Sequence, residues 1–164
     1  MTGEQRKIVI IGCGRIGAPM LAWLHNKKDL PYDIIGIERD FALVEKLRNG
    51  TTGWYEEGLD SLLQSNPVHI IVTARPDQVI NQDLWDNVAM AIICLGSPVD
   101  DHGNPQVDAI RKLASQVPAH VPLVLRSTVP VGFTRELNTL LDRPVYFAPE
   151  RILTGQALAE LDKL

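Results

Sequence analysis

Three glycines and one acid carry the strongest chemical signal in this chain. Gly12, Gly14 and Gly17 are spaced Gly-x-Gly-x-x-Gly within Lys7-Ile-Val-Ile-Ile-Gly-Cys-Gly-Arg-Ile-Gly17, and Glu38 closes the run Asp33-Ile-Ile-Gly-Ile-Glu38. That spacing suits a ligand bridged by phosphates. Gly12 permits a tight turn off a strand, Gly14 removes a side chain so that backbone can approach a pyrophosphate, and Gly17 lets the following helix pack closely. A helix opening near Arg15 and Ile16 aims N–H groups and the positive end of its dipole at those phosphates. Glu38, twenty-one positions beyond Gly17, can accept hydrogen bonds from adenosine ribose hydroxyls. The expected cofactor is therefore a dinucleotide, and a carboxylate at this place favours NAD because it repels a 2′-phosphate. Arg39 pulls the other way: its guanidinium can receive that phosphate or stack on adenine.

A lone glycine turn often does nothing but connect two elements, so the surrounding pattern decides. An apolar strand precedes it, and an amphipathic helix follows it (Ile16, Met20, Leu21, Leu24). The acid then ends the next strand. Further strands are predicted over 69–73, 88–95, 123–126 and 145–147, with the first two over 7–12 and 33–38. Helices are predicted over 16–25, 41–48, 107–116 and 133–141. The runs Ile70-Ile-Val and Ala91-Ile-Ile-Cys-Leu are continuously apolar, as strands covered on both faces should be. Alternating elements of this kind make an α/β fold, a Rossmann-like doubly wound parallel sheet in a single domain. Right-handed crossovers give strand order 3-2-1-4-5-6 and place the ligand crevice between the first and fourth strands.

The carboxyl ends of the later strands face the same crevice. They carry Leu95-Gly-Ser-Pro98, Arg126-Ser-Thr-Val-Pro-Val-Gly132 and Ala148-Pro-Glu-Arg-Ile-Leu-Thr-Gly155. Small and hydroxylated residues there read equally well as turns and helix caps. Ser127-Thr128 together with Glu150 on a dinucleotide scaffold is a better candidate for chemistry.

The composition bounds the rest. With 164 residues, 45% of them hydrophobic, and a net charge of −4, the chain can bury one substantial core. The acidic balance and the lack of a basic stripe argue against nucleic acid as a partner. No apolar run reaches the roughly 20 residues that span a bilayer, so no membrane segment is expected. Two cysteines and no secretory signal point to a reducing, cytoplasmic setting with Cys13 and Cys94 as buried thiols. His25, His69, His102 and His120 lack metal-ligand spacing, and no metal is expected. Trp23, Trp54 and Trp85 read as packing residues.

Five ordered segments now form a pattern. Gly12-Cys-Gly-Arg-Ile-Gly17, Trp54-Tyr-Glu-Glu-Gly-Leu59, Leu95-Gly-Ser-Pro98, Ser127-Thr-Val-Pro-Val-Gly132 and Pro149-Glu-Arg-Ile-Leu-Thr-Gly155 together resemble the NAD-binding N-terminal domain of the UDP-glucose/GDP-mannose dehydrogenase family. The resemblance runs from Lys7 to about Ala157. It implies oxidation of a nucleotide sugar's C6 alcohol to a carboxylate in two NAD-dependent steps. It implies that Glu38 is the ribose-binding acid and that Ser97 and Pro98 form a loop touching the cofactor, where the family has Gly-Thr-Pro. Thr128 would lie near the nicotinamide and help hold water, and Glu150 would be the base or water activator. The Pro149-Glu-Arg form resembles members that act on UDP-N-acetylhexosamines.

The resemblance also implies what is missing. The family's nucleophilic cysteine, its central helix and its sugar-nucleotide domain correspond to nothing in residues 1–164, and neither cysteine stands at the nucleophile's position. The chain is thus expected to bind NAD without catalysis and to meet a nucleotide sugar only with a C-terminal domain. A stand-alone NAD-binding or regulatory module is the alternative. The last segment, Gln156 to Leu164, is amphipathic. Leu158, Leu161 and Leu164 would face either this domain's own core or a partner chain or missing domain.

Overall fold

The computed structural model describes residues 5–73 and 82–163. Six strands, β1 (Arg6–Ile11), β2 (Tyr32–Glu38), β3 (His69–Val72), β4 (Val88–Ile93), β5 (Leu123–Leu125) and β6 (Val145–Phe147), form one sheet in the order β3-β2-β1-β4-β5-β6. Every pairing is parallel. The expected topology is the observed one. Among the described residues seven helices accompany it: α1 (Gly17–His25), α2 (Phe41–Arg48), α3 (Leu59–Ser65), α4 (Gln82–Trp85), α5 (Asp108–Gln116), α6 (Phe133–Leu141) and α7 (Ala157–Leu161).

The unbroken apolar run of β1 is explained by what lies on its two sides. Ile8 and Ile10 enter a cluster with Leu21 of α1, Val44 of α2 and Leu63 of α3. Val9 and Ile11 enter another with Ile110 and Leu113 of α5 and Leu137 of α6. Alternating side chains thus find cover on both faces, so no polar position is needed. β3 departs from that expectation. It is an edge strand, and only Ile70 is buried while Ile71 and Val72 are half-buried. Several expected boundaries also shorten. β4 ends at Ile93, whose carbonyl still accepts the N–H groups of Arg126 (2.9 Å) and Ser127 (3.2 Å), while Cys94 N–H donates to Ile11 O at 2.8 Å.

The short helices α3 and α4 were not among those predicted, whereas α7 lies where the amphipathic last segment was expected to present one helical face. Leu161 of α7 is fully buried, Leu158 packs against the cluster on the α1 side, and Asp162 accepts a 2.7 Å hydrogen bond from the indole N–H of Trp23. The apolar face of the last segment is therefore met by this domain's own α1. Leu164 lies outside the described residues. Trp85 is 1% exposed and belongs to the core, whereas Trp23 lies beneath the Lys27 ammonium, 4.5 Å from the ring centre.

Arg143 fastens the far end of the sheet. Its Nη1 donates to the carbonyls of Pro118 (2.5 Å) and Val121 (3.2 Å), and its Nη2 to that of Ala114 (2.6 Å). Burial pushes its pKa down, yet a guanidinium stays charged in proteins. Arg143→Met keeps the bulk and orphans the carbonyls of Ala114 and Val121, each costing about 1 kcal/mol or more when buried, while Pro118 O keeps the Val121 N–H at 3.0 Å. The expected loss is about 2 kcal/mol, seen as a melting temperature lower by about 6 °C. An unchanged melting temperature would show that water replaces the guanidinium.

Candidate functional site

The site begins where β1 ends. Gly12 takes φ +89, a left-handed conformation that suits glycine, and its N–H donates to Ile37 O at 2.8 Å. The chain then turns directly into α1. A Cβ on Gly17 would stand 1.8 Å from Gly12 O, so this residue must be glycine for helix and strand to approach so closely. At Gly14 the reverse holds. A Cβ there would meet no atom within 4 Å, because the position opens onto the cleft. Ile16 occupies the N-cap of α1 and no side chain caps that end. Ala18 N–H already donates to Gly14 O at 2.9 Å and Pro19 has no N–H, so the N–H groups of Ile16 and Gly17, with the helix dipole, are what this helix start offers an anion beside Gly14.

Glu38 is built into the turn. Its Oε2 accepts the N–H of Cys13 at 2.8 Å, and its Oε1 accepts those of Arg39 (2.8 Å) and Asp40 (2.9 Å). The carboxylate thus ties the glycine turn to the end of β2 as well as facing the cleft. A carboxylate has about four acceptor positions, so roughly one remains for a ribose hydroxyl.

Between the ends of β1 and β4 lies a cleft of about 480 Å³. Gly12, Gly14, Glu38, Arg39 and Thr73 line one side, with Cys94, Leu95 and Gly96 along the floor and Ala109, Lys112 and Leu113 of α5 opposite. Four of the predicted cofactor residues meet here. Ile16 and Gly17 stand behind the turn, and Arg15 points away to lie over the Trp54 ring at 5.5 Å. The α5 wall was not anticipated from the sequence. Its spacing, 109, 112 and 113, is that of one helix side, so the signal was present once α5 was known to roof the crevice.

Ser97, Pro98, Thr128 and Glu150 lie outside the lining of that cleft, on the loops after β4, β5 and β6. Ser97 Oγ donates to Thr128 O at 2.5 Å, joining two of those loops, and Ser127 Oγ donates to Ile93 O at 3.2 Å. Glu150 is held on both oxygens. Oε1 accepts N–H groups of Arg151 (2.7 Å) and Ile152 (2.5 Å), and Oε2 sits 2.8 Å from Nε of Arg126. The two side chains are only 8% and 10% exposed. Their contact is an ion pair whose N–H is not aimed at the oxygen, so Nε and Oε2 are buried without a hydrogen bond. Arg126 was read in the sequence only as a strand end.

Two of the five ordered segments also meet through Glu56. This buried carboxylate accepts N–H groups of Ala157 (2.6 Å) and Gly155 (3.3 Å), and Glu57 N–H donates to Gly155 O at 3.2 Å. The loop after α2 thereby holds the base of the loop that carries Glu150. The thiols are inert by comparison. Burial pushes Cys13 well above its ordinary value, with Glu38 and Cys94 adding to the effect. Burial likewise pushes Cys94 up to about 12, opposed by the Arg126 guanidinium. Both are free, and a thiol in such a setting is a poor nucleophile. Among the described residues, no three His, Cys, Asp or Glu side chains converge as a metal site. No described helix is long and apolar enough to cross a membrane.

Comparison with known proteins agrees with this geometry. The model of the UDP-glucose/GDP-mannose dehydrogenase family, NAD binding domain, matches residues 6–164. The UDP-N-acetyl-D-mannosamine dehydrogenase of Methanococcus vannielii is 29% identical over 95% of this chain. Among solved structures, UDP-D-ManNAc dehydrogenase from Pyrococcus horikoshii aligns with a TM-score of 0.76 at 22% identity over 94% of the chain. GDP-mannose dehydrogenase from Pseudomonas aeruginosa aligns with a TM-score of 0.75 at 20% identity over 94%; at such identities these two share the fold. The chain spans 36% of the Methanococcus protein and 38% of each solved chain. It belongs to the UDP-glucose/GDP-mannose dehydrogenase family and corresponds to that family's NAD-binding domain.

Proposed function

We propose that this chain is the cofactor half of a nucleotide-sugar 6-dehydrogenase, holding NAD while the C6 alcohol of a UDP sugar is oxidised to a carboxylate. The observation that carries the reading is the turn at Gly12–Gly17. Gly14 opens onto the cleft where a Cβ would intrude, the uncapped start of α1 faces that space, and Glu38 stands at the end of β2 with acceptor capacity left. These features fit a dinucleotide, with its pyrophosphate at α1 and its adenosine ribose at Glu38. When bound, NAD supplies the hydride acceptor.

This chain's own residues would do the rest. Gly12, Gly14 and the N–H groups around Arg15 to Gly17 bind and orient the phosphates. Ser97 and Pro98 border the cofactor, and Thr128, fixed through its carbonyl to Ser97, helps hold a water. Glu150 accepts a proton from that water, since a fixed carboxylate near a reacting carbonyl can serve as a general base. The names of the relatives favour a UDP-N-acetylhexosamine as substrate. Without a thiolate nucleophile of its own, residues 1–164 would bind NAD and not turn a nucleotide sugar over. A second reading, a stand-alone NAD-binding module without chemistry, draws support from the packing of α7 against α1.

Calorimetric titration of the chain with NAD tests the binding role. Saturable binding is expected, and Glu38→Ala should weaken it by about tenfold or more, a cost of roughly 1.4 kcal/mol. Glu38→Gln, which keeps an acceptor for the turn, should lose less. A folded chain that fails to bind NAD would remove the proposal. Adding a UDP sugar and following reduced cofactor then separates a lone module from the half of an enzyme, provided the remaining domain is supplied.

A further inference from the structure

The loop after β6 is fastened at its two ends. Ala148 N–H donates to Leu125 O at 2.9 Å, and the N–H groups of Gly155 and Ala157 donate to Glu56. Between those ends, among the described residues, a single polar contact joins residues 149–154 to another part of the chain, and it is the Arg126–Glu150 pair. The N–H groups of Arg151 and Ile152 also reach Glu150, but they belong to the same loop and would travel with it. Arg126 is fixed on the other side. Its own N–H donates to Ile93 O at 2.9 Å, which locks its backbone to the end of β4. A buried ion pair is a poor device for stability, because desolvating two charges cancels much of their attraction. This pair also forgoes the hydrogen bond that would help: Nε and Oε2 are buried 2.8 Å apart with neither satisfied. What the contact does supply is a fixed place for the carboxylate. Thr128 follows two residues along, its carbonyl bound by Ser97. Burial raises the Cys94 thiol, Arg126 opposes that rise and Glu150 adds to it, so both charges act at the floor of the cleft.

We infer that Arg126 is the positioning residue of the proposed base, holding the Glu150 carboxylate at the end of β5 by charge rather than by a hydrogen bond. The inference rests on the reading of Glu150 as that base and adds the group that places it. Arg126 acts only through the carboxylate. Attraction between a guanidinium and a carboxylate does not depend on N–H alignment, and a low-dielectric surrounding strengthens it. A lysine ammonium at this position therefore suffices, whereas an uncharged side chain of similar bulk does not. With the cation removed, Glu150 is a buried anion without a counter-ion. Its escape is to turn toward solvent, taking residues 149–154 with it. A general base must stand within hydrogen-bond reach of the water it deprotonates, and the displaced carboxylate loses that reach.

The test follows the amide resonances of Arg151 and Ile152 in the isotope-labelled full chain, free and with NAD. Wild type, Arg126→Met, Arg126→Lys and Glu150→Gln are compared. Wild type should show both amide protons far downfield, as short hydrogen bonds to a carboxylate produce, and slow to exchange with solvent. Arg126→Met should shift both and speed their exchange about tenfold, the mark of a local opening. Ala157 N–H, held by Glu56 at the base of the loop, should keep its wild-type exchange rate, and NAD affinity should stay within about twofold. Arg126→Lys should restore both resonances, a rescue that a space-filling role would not give to lysine over methionine. Unmoved amides in a folded Arg126→Met overturn the inference and leave the NAD site standing, because Glu150 would then be placed by its own loop. Equal disturbance by methionine and lysine also overturns it. If Arg126→Met does not fold, the guanidinium Nε–H resonance decides. It should be slow to exchange in wild type and altered in Glu150→Gln, and no difference between the two overturns the inference. A folded wild type that binds no NAD overturns the inference together with the reading beneath it.

Discussion

Gly17→Ala is expected to abolish dinucleotide binding and to lower stability by about 3 kcal/mol, at the upper end of overpacking costs. The added Cβ would fall 1.8 Å from Gly12 O and 2.9 Å from Gly12 C, and both are backbone atoms that cannot rotate away. Either α1 moves off the sheet or the turn at Gly12 opens. Moving α1 disturbs Ala18, Leu21 and Ala22, all buried in one cluster. Opening the turn breaks the Gly12 N–H bond to Ile37 O and the Cys13 N–H bond to Glu38. Gly14→Ala provides the internal comparison. Its Cβ meets nothing in the protein, so stability should stay within about 0.5 kcal/mol while NAD affinity falls, because the methyl occupies the path of the pyrophosphate. Urea unfolding and calorimetric titration of the two variants separate the roles. If Gly17→Ala unfolds at the wild-type midpoint, the helix and strand are not locked together as described.

The contrast between these two glycines shows how much of the molecule was legible in its sequence. The strand order, the glycine turn and the acid ending β2 follow from local spacing plus a handedness rule, since each lies within one βαβ unit or its immediate repeat. The resemblance, too, was carried by short ordered segments. What the sequence did not reveal depends on partners distant in the chain. Glu38 was expected to serve a ribose, yet besides the adjacent N–H groups of Arg39 and Asp40 it accepts that of Cys13, 25 positions earlier. Glu56 meets Gly155 and Ala157 across about a hundred positions, and Lys112 reaches the cleft only because α5 roofs it. The short helices α3 and α4 escaped notice for a simpler reason. α3 follows Gly58 at φ +75 and buries just Leu59 and Leu63, too few positions to establish a helical period.

Arg126 is the clearest of these hidden residues, and Arg126→Met should cost about 3 kcal/mol, within the range for removing one partner of a buried ion pair. The methionine fills the volume but leaves Glu150 Oε2 buried with no positive charge to offset it. The pair is nearly closed to solvent, 8% and 10% exposed, so screening does little to soften the loss. Glu150→Gln should cost less, because a neutral amide oxygen can still accept the N–H groups of Arg151 and Ile152. The double variant Arg126→Met with Glu150→Gln carries no buried charge at this place and should recover about 2 kcal/mol relative to the sum of the singles, a coupling of the size neighbours show. Chemical denaturation of the four proteins completes the cycle. Additive losses would mean that the misaligned contact contributes nothing and that Glu150 is placed by its two backbone N–H donors alone. A large coupling would mean that Arg126, two residues before Thr128, fixes the carboxylate at the ends of β5 and β6 where the proposed proton transfer takes place. Because the guanidinium N–H is not aimed at Oε2, the coupling would come from charge, and Arg126→Lys should retain most of it.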